Sequence, residues 1–467
     1  MKKPRLGAIS GPATLVTKPE AVAHVVKHFP SFRDFVDDAL FHPDWGYYST
    51  GRVRFGEGGH YETFPLALSP VFGHMVARAA FRSWQRSGRP KRFEICEIGA
   101  GNGQLCVDVL ASLVTGPETI ERRRPTPLWQ RFAASVRYRI VERSAALIAR
   151  QRQQLGPLTA RVAWTRTDLS RRAVPGIPFA ACGFIVANEV LDCLAHHKVV
   201  PTDAGTPGVV FVVPVLETGL ADRSLARLLV QGLDGMPQAL SRSALPALFA
   251  AAEKPRGVTL REVALPLRAV PGLDSFLRQY CPELFARGRF PPYFACPTIP
   301  PLMRNTGRLY RHFEAVWMDY GETRPFHLRT PEGRRVFAGP PRSGATVYDN
   351  PGRNDITFMV DFTVVADAAR REGFNVTLYA PQSSLASLAR MEVGAHARNL
   401  ITRARALTWL LAVSGAGPER DWRRTGLTWN RSAARGGRLS DSVQRSIDEF
   451  FGRRRSPFKL LVVRSHV

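Results

Sequence analysis

The stretch Phe93-Glu94-Ile95-Cys96-Glu97-Ile98-Gly99-Ala100-Gly101-Asn102-Gly103 decides how this chain folds. A short apolar segment runs straight into three glycines at alternate positions, and Gln104-Leu105-Cys106-Val107 then opens a helical pattern. Glycines at such a bend let the backbone turn sharply and approach a ligand where a Cβ would stand in the way. The helix that follows offers unpaired N–H groups suited to a carboxylate. A dinucleotide-binding turn would space its glycines G-x-G-x-x-G, whereas Gly101 and Gly103 are followed here by Gln104, Leu105 and Cys106, a poor fit.

Working outward, strand-like segments recur at residues 138–142, 162–165 and 184–188, with helices expected over residues 104–113 and 144–155. This alternation predicts an α/β fold: a Rossmann-like parallel sheet of the class I S-adenosylmethionine (SAM) methyltransferase type, with helices on both faces. In that sheet Glu97, Gly99, Ala100, Gly101, Asn102 and Gly103 would form the cofactor loop, with the methionine carboxylate at the helix start. Glu142 ends the second strand, where an acid accepts hydrogen bonds from both ribose hydroxyls. Asp168, followed by Leu169, comes after the third strand and would meet the adenine amino group. Taken singly, each acid reads equally well as a helix cap or loop residue; their order along the sheet joins them.

The fourth strand ends in Asn188-Glu189-Val190-Leu191-Asp192, beside the expected place of the transferred methyl group. Glu189 and Asp192 are spaced as two carboxylates one helical turn apart. A guanidinium is a planar fork of donors that paired carboxylates hold well, so with Asn188 they are the candidate catalytic residues, by positioning more than by acid–base work. The alternative is a Glu189 that caps a helix and an Asp192 that faces solvent.

Elsewhere, Ser31 followed by Asp34 marks the start of a helix whose apolar face is Phe32, Phe35, Val36, Ala39 and Leu40. A second helix is expected over residues 69–84, and residues 116–130, which contain Arg122-Arg123-Arg124, read as a surface insertion. From residue 198 the strand–helix rhythm breaks, with extra strands at 209–216 and 258–263. It resumes with strands at 315–320, 375–379 and 458–463. The segments expected are an extension at 1–30 with the character of a presequence, a helical lid segment at 31–92, the SAM-binding core at 93–197, an inserted α+β substrate lobe at 198–310, and the C-terminal part of the sheet at 311–467.

The chain has 467 residues, 45% of them hydrophobic, ample for a large core. Its 65 basic against 39 acidic residues give a formal charge of +26, which suits a polyanionic neighbour or a basic compartment. Six scattered cysteines without a C-x-x-C pair predict reduced thiols rather than a disulfide framework. No apolar stretch is long enough to span a bilayer. The adjacent His196-His197 lack metal-ligand spacing, so no metal site is expected; His197 reads as a substrate contact or as a partly exposed loop histidine.

These residues, with others along most of the chain, resemble the MidA family of methyltransferases, whose members include a mitochondrial complex I assembly arginine methyltransferase. The similar stretches are residues 44–48 with their Gly46-Tyr47-Tyr48 turn, 55–59, Phe72-Gly73, 97–103, 188–192, Asp319-Tyr320-Gly321, Pro351-Gly352, Asp355-Ile356-Thr357, Val360-Asp361-Phe362 and 458–461. The resemblance implies a SAM-binding sheet with an inserted lobe and activity on protein arginine. It also implies a home in the mitochondrial matrix or the bacterial cytoplasm, and Thr63 and Pro65 against the cofactor. It further implies Tyr47, Asp319 and Asp361 near the substrate. The segment Gly59-His60-Tyr61-Glu62-Thr63-Phe64-Pro65-Leu66 departs from the family pattern, with His60 and Leu66 in place of acids and one extra residue.

Two functions follow as expectations. One is a SAM-dependent protein arginine N-methyltransferase acting on a protein substrate or an assembly complex, as a homo- or heterodimer. The other is a catalytically weakened methyltransferase-like scaffold that binds rRNA or a mitochondrial ribosome assembly intermediate through arginine tracts near residues 122–124, 403–435 and 453–455. A SAM-dependent RNA methyltransferase ranks behind both, because Asn188 is followed by Glu189-Val190 rather than by prolines and an aromatic.

Overall fold

The computed structural model describes residues 14–55, 63–115, 126–172, 174, 180–202, 205–216, 229–230, 239–240, 258–286, 290–339, 345–391, 441–451 and 457–465. Two compact units are formed. One comprises Met1–Val53, Asp192–Pro297 and Glu322–Val364, and the other Arg54–Leu191, Thr298–Gly321 and Val365–Val467.

The second unit holds a seven-stranded sheet: β1 (Phe93–Ile98), β2 (Val136–Glu142), β3 (Val162–Arg166), β4 (Ala180–Asn188), β5 (Tyr310–Glu322), β6 (Asn375–Pro381) and β7 (Phe458–Arg464). They lie in the order β3-β2-β1-β4-β5-β7-β6, parallel except for β7, which runs antiparallel to both its neighbours. This is the class I methyltransferase-like α/β fold that the alternation of strands and helices predicts. The order reverses at β1 and β4, and in open α/β sheets the crevice beyond the strand ends at such a point is where ligands bind.

Helices α1 (Phe64–Ala67), α2 (Val71–Arg86), α3 (Gln104–Thr115), α4 (Pro127–Ser135) and α5 (Ala145–Leu155) accompany the sheet. A core of Val76, Ile95, Leu110, Trp129, Phe132 and Phe184 is buried in this unit. Helix α4 corrects the reading of a surface insertion for the last residues of that segment, 126–130. Thr126 caps it by accepting the Trp129 amide at 3.2 Å, and Trp129 and Phe132, one turn apart, are both buried, Trp129 against Phe81 and Phe132 against Trp84 and Phe93. A capped apolar i, i+3 pair outweighs the surrounding Pro/Arg composition. Residues 116–125, with Arg122 to Arg124, lie outside the described residues.

The first unit holds its own sheet, in which Thr14–Leu15, Val258–Pro266, Pro207–Leu216, His197–Pro201 and Tyr293–Ala295 lie side by side. All but the first pair are antiparallel. Ser31 caps the helix Phe32–Phe41 by accepting the Asp34 amide at 3.2 Å, as the sequence predicts. Phe32 packs among Phe294, Tyr348 and Phe358. All six cysteines are free thiols, five of them buried. Among the described residues no helix is long and apolar enough to cross a membrane.

Candidate cofactor and acceptor site

The glycine turn that leaves β1 requires its glycines. Gly99, Gly101 and Gly103 have φ of 68°, 54° and 87°, a left-handed backbone that a side chain disfavours. A Cβ on Gly99 would stand 2.8 Å from Cγ2 of Val190, and one on Gly101 would press on the Phe55 ring at 3.3 Å. The bare turn is therefore packed directly against the segment that follows β4. Asn102 stabilises the start of α3 by accepting the Gln104 amide at 3.1 Å. Thr63 and Pro65 begin α1, which packs against α3, and Pro65 is buried. Leu66 lies in the same helix, while His60 falls outside the described residues.

Beside this turn sit two buried acids. Glu142 accepts the Ser144 amide at 2.9 Å and the Gln151 side-chain amide at 3.2 Å. Burial raises its pKa, and the hydrogen bonds to its ionised form oppose that rise. Gln151 also donates to the Gly101 carbonyl at 3.1 Å and accepts from the Trp164 indole at 3.1 Å. One nitrogen thus bridges the glycine turn and the acid at the end of β2. Sequence reasoning missed Gln151; its one local mark is a polar residue on the inner face of α5, where Leu147, Ile148 and Leu155 are buried.

The second acid, Glu97, accepts the Tyr138 hydroxyl at 2.7 Å. Burial, followed by the charges of Glu142 and Asp108, pushes its pKa up to about 7. A concentration of buried carboxylates beneath a bare backbone turn suits a cationic ligand, and a sulfonium nucleoside carries positive charge on its sulfur and amino group. The donor set and the glycine cradle therefore fit SAM: the turn would hold the methionine end, and Glu142 the ribose.

Asp168 is engaged differently from what an adenine contact alone would need. Its Oδ1 accepts the Ser170 amide and hydroxyl at 3.0 and 2.6 Å, and its Oδ2 pairs with Arg143 at 3.4 Å. Leu169 is buried, and its carbonyl accepts from Asn305 at 2.9 Å.

The segment after β4 is a tight turn, which corrects the expectation of a helix carrying Glu189 and Asp192 on one face. Glu189 adopts φ 53°, outside the helical range. The Val190 and Leu191 amides are captured by Oδ2 of Asp319 at 3.1 and 2.9 Å, and Oδ1 of Asp319 takes the Tyr320 amide at 2.8 Å. Asp319, on β5, is fully buried and anchors this turn. Asn188 donates through Nδ2 to Oε1 of Glu189 at 2.9 Å. The boundary between the two units falls after Leu191.

Asp192 belongs with the first unit, as do Tyr47, His197 and Asp361. Asp192 is buried near Asp355, whose pKa is pushed up to about 7 by burial and then by the Asp192 charge. Tyr48 donates to Asp355 at 2.9 Å. Tyr47 is fully buried beside Tyr48, with ring centroids 5.0 Å apart. His197 is buried, and desolvation, with Arg33 and His196 nearby, lowers its pKa to about 3, so its imidazole is neutral. Asp361 accepts the Tyr293 hydroxyl at 2.8 Å and pairs with the buried Arg324 at 3.2 Å.

Comparisons with known proteins bear on this geometry. The family profile described as "Putative S-adenosyl-L-methionine-dependent methyltransferase" matches residues 75–380. A Drosophila melanogaster mitochondrial protein arginine methyltransferase NDUFAF7 homolog is 35% identical over 80 residues, 17% of this chain and 18% of that protein. The Xenopus tropicalis protein arginine methyltransferase NDUFAF7 is 24% identical over 185 residues, 37% of this chain and 40% of that protein. The chain thus matches well under half the length of these curated relatives. A Burkholderia thailandensis crystal structure bound to S-adenosyl-homocysteine shares the fold, with TM-score 0.57, 19% identity, and coverage of 95% of this chain and 92% of that one. The profile spans most of the chain, including the whole glycine turn and the turn after β4. The chain accordingly belongs to the MidA family of SAM-dependent methyltransferases, and SAM is the cofactor that this membership assigns.

Proposed function

We propose that the chain is a protein arginine N-methyltransferase that acts on a subunit or assembly intermediate of a mitochondrial complex, complex I in the first place. The matrix is its proposed location, with the bacterial cytoplasm as the alternative. The observation that supports the reading most is the contact of Val190 with Gly99, which brings the segment that bears Asn188 and Glu189 to the glycine turn. The partial likeness to arginine methyltransferases supports the choice of acceptor.

SAM supplies an electrophilic methyl group on a sulfonium. The chain's own part is to hold the acceptor. The Glu189 carboxylate, oriented by Asn188, accepts N–H bonds from one edge of a guanidinium and so directs a nitrogen toward the methyl group. Bound SAM would supply the methyl group to that nitrogen with S-adenosylhomocysteine as the leaving group, and the displaced proton would pass to solvent water. Because Glu189 acts by accepting N–H bonds, its work is positioning rather than proton abstraction.

Titration of the protein with SAM, followed by transfer of labelled methyl groups into mitochondrial extract and residue analysis, tests this. Label in methylarginine is the expected result; label in another residue, or no SAM binding at millimolar concentration, ends the proposal.

The charge of +26 favours a second reading, a scaffold on a ribosomal particle. The arginine tract of residues 403–435 that motivates it lies outside the described residues. Sedimentation with ribosomal particles at rising salt separates the two, since free migration at every salt concentration removes the scaffold.

A further inference from the structure

Gln382 opens the short turn Gln382–Ser384 that follows β6. Its side chain is buried, with 1% of its surface exposed. Its Nε2 donates to Oδ1 of Asn188 at 2.9 Å, and Asn188 in turn donates to Glu189 at 2.9 Å. The Oε1 of Gln382 is buried and accepts no hydrogen bond from any described residue.

The direction of this chain of bonds follows from chemistry. An amide can be turned end for end without changing its shape, so its neighbours must fix its polarity. An ionised carboxylate only accepts, which obliges Asn188 to present Nδ2 to Glu189 and leaves its Oδ1 facing Gln382. Gln382 must then present Nε2, and its carbonyl oxygen is the end left over. That oxygen sits on the same trigonal carbon as the nitrogen touching Asn188, and a buried acceptor without a donor is rare in folded proteins.

We propose that Gln382 is a positioning residue of the methyl-transfer site: it fixes Asn188, and through it the Glu189 carboxylate, and its own Oε1 takes an N–H of the methyl-accepting group. The inference rests on the reading that Glu189 faces the acceptor. It adds a second acceptor atom beside the carboxylate, suited to a nitrogen group with several N–H donors and unsuited to a hydroxyl or thiol, which brings one.

The full-length chain and its Gln382→Leu and Gln382→Glu variants are compared. The glutamate keeps the shape, so the test stands even if the leucine variant fails to fold, and as a carboxylate it can no longer donate to Asn188. Three quantities are read: affinity for S-adenosylhomocysteine, affinity of that complex for a glycine–arginine-rich peptide, and hydrogen exchange of the Asn188 side-chain amide by NMR. Expected are cofactor affinity within about threefold of wild type and peptide affinity lower by about tenfold or more. Exchange at Asn188 should be faster by about tenfold or more. Unchanged Asn188 exchange in both variants overturns the proposal, as does unchanged peptide affinity. Should wild type bind S-adenosylhomocysteine but no arginine peptide, the choice of arginine falls, and Asn188 exchange alone decides the role of Gln382. Should wild type bind neither, the methyltransferase site and the role of Gln382 fall together.

Discussion

Gln151 donates one side-chain nitrogen to both Oε2 of Glu142, at 3.2 Å, and the carbonyl of Gly101, at 3.1 Å. The acid at the end of β2 and the turn at the end of β1 are thereby fixed to each other. Replacing Gln151 with leucine keeps the bulk and removes the bridge. It leaves a buried acceptor unsatisfied at about 1–3 kcal/mol. Affinity for S-adenosylhomocysteine, measured by calorimetry, should fall by about tenfold. Wild-type affinity in this variant would show that the bridge does not hold the cofactor loop.

Gly99 and Gly156 both have positive φ, 68° and 49°, but only the first is crowded, with Val190 2.8 Å from a would-be Cβ and nothing within 4 Å at Gly156. Alanine at either position carries backbone strain of about 1–2 kcal/mol. Only Gly99→Ala should also displace the turn after β4 and abolish S-adenosylhomocysteine binding. Equal binding by the two variants would contradict the packing argument.

Glu97 has a pKa raised from 4.5 to about 7 by burial and by the acids around it. A carboxyl that prefers its proton in the folded state costs stability as it ionises. That cost begins near the ordinary value, grows until the folded pKa, and is constant above it. Glu97→Gln keeps an acceptor for Tyr138 and removes the ionisation. Its melting temperature should therefore gain on wild type between about pH 5 and pH 7, with no further gain above. A difference independent of pH would place the strain elsewhere. Because a bound cation favours the ionised acid, SAM should also bind more tightly as pH rises through this window, and more steeply than S-adenosylhomocysteine, which lacks the sulfonium.

Asp319 satisfies three backbone amides from full burial, two of them in the turn that bears Glu189. Asp319→Ala should destabilise the chain by about 3 kcal/mol or more, since each orphaned amide costs about 1–3 kcal/mol. Asp319→Asn keeps the volume but turns one oxygen into a donor facing amide N–H groups. This variant should bind S-adenosylhomocysteine yet lose most methyl transfer, as read by the label-incorporation assay. Full transfer in Asp319→Asn would mean that the turn needs no such anchor.

Much of the second unit was legible because its signals are local. The glycines at 99, 101 and 103, the apolar strand before them and the helix after them sit within one short stretch, and the strands at 136–142, 162–166 and 180–188 follow in rhythm. What escaped depends on contacts across the sheet. Glu189 and Asp192 are spaced like neighbours on a helix, and only the capture of two amides by Asp319, more than a hundred residues on, makes that segment a turn. Gln151 and Gln382 carry no motif at all: a glutamine on a helix or in a turn looks like surface until folding buries it against Glu142 or Asn188. Trp129 and Phe132 were obscured for the opposite reason, because prolines and arginines beside them mask a capped helix.

The dependence of residues 189–191 on Asp319 limits how this protein can be shortened. A fragment ending near residue 197 would contain every recognisable cofactor signature, yet it would lack the strand that supplies the anchor, and β5 in turn lies against β7 at the C-terminal end. Such a piece should be supplied in trans with the remainder of the chain before any loss of turnover is blamed on a missing catalytic group.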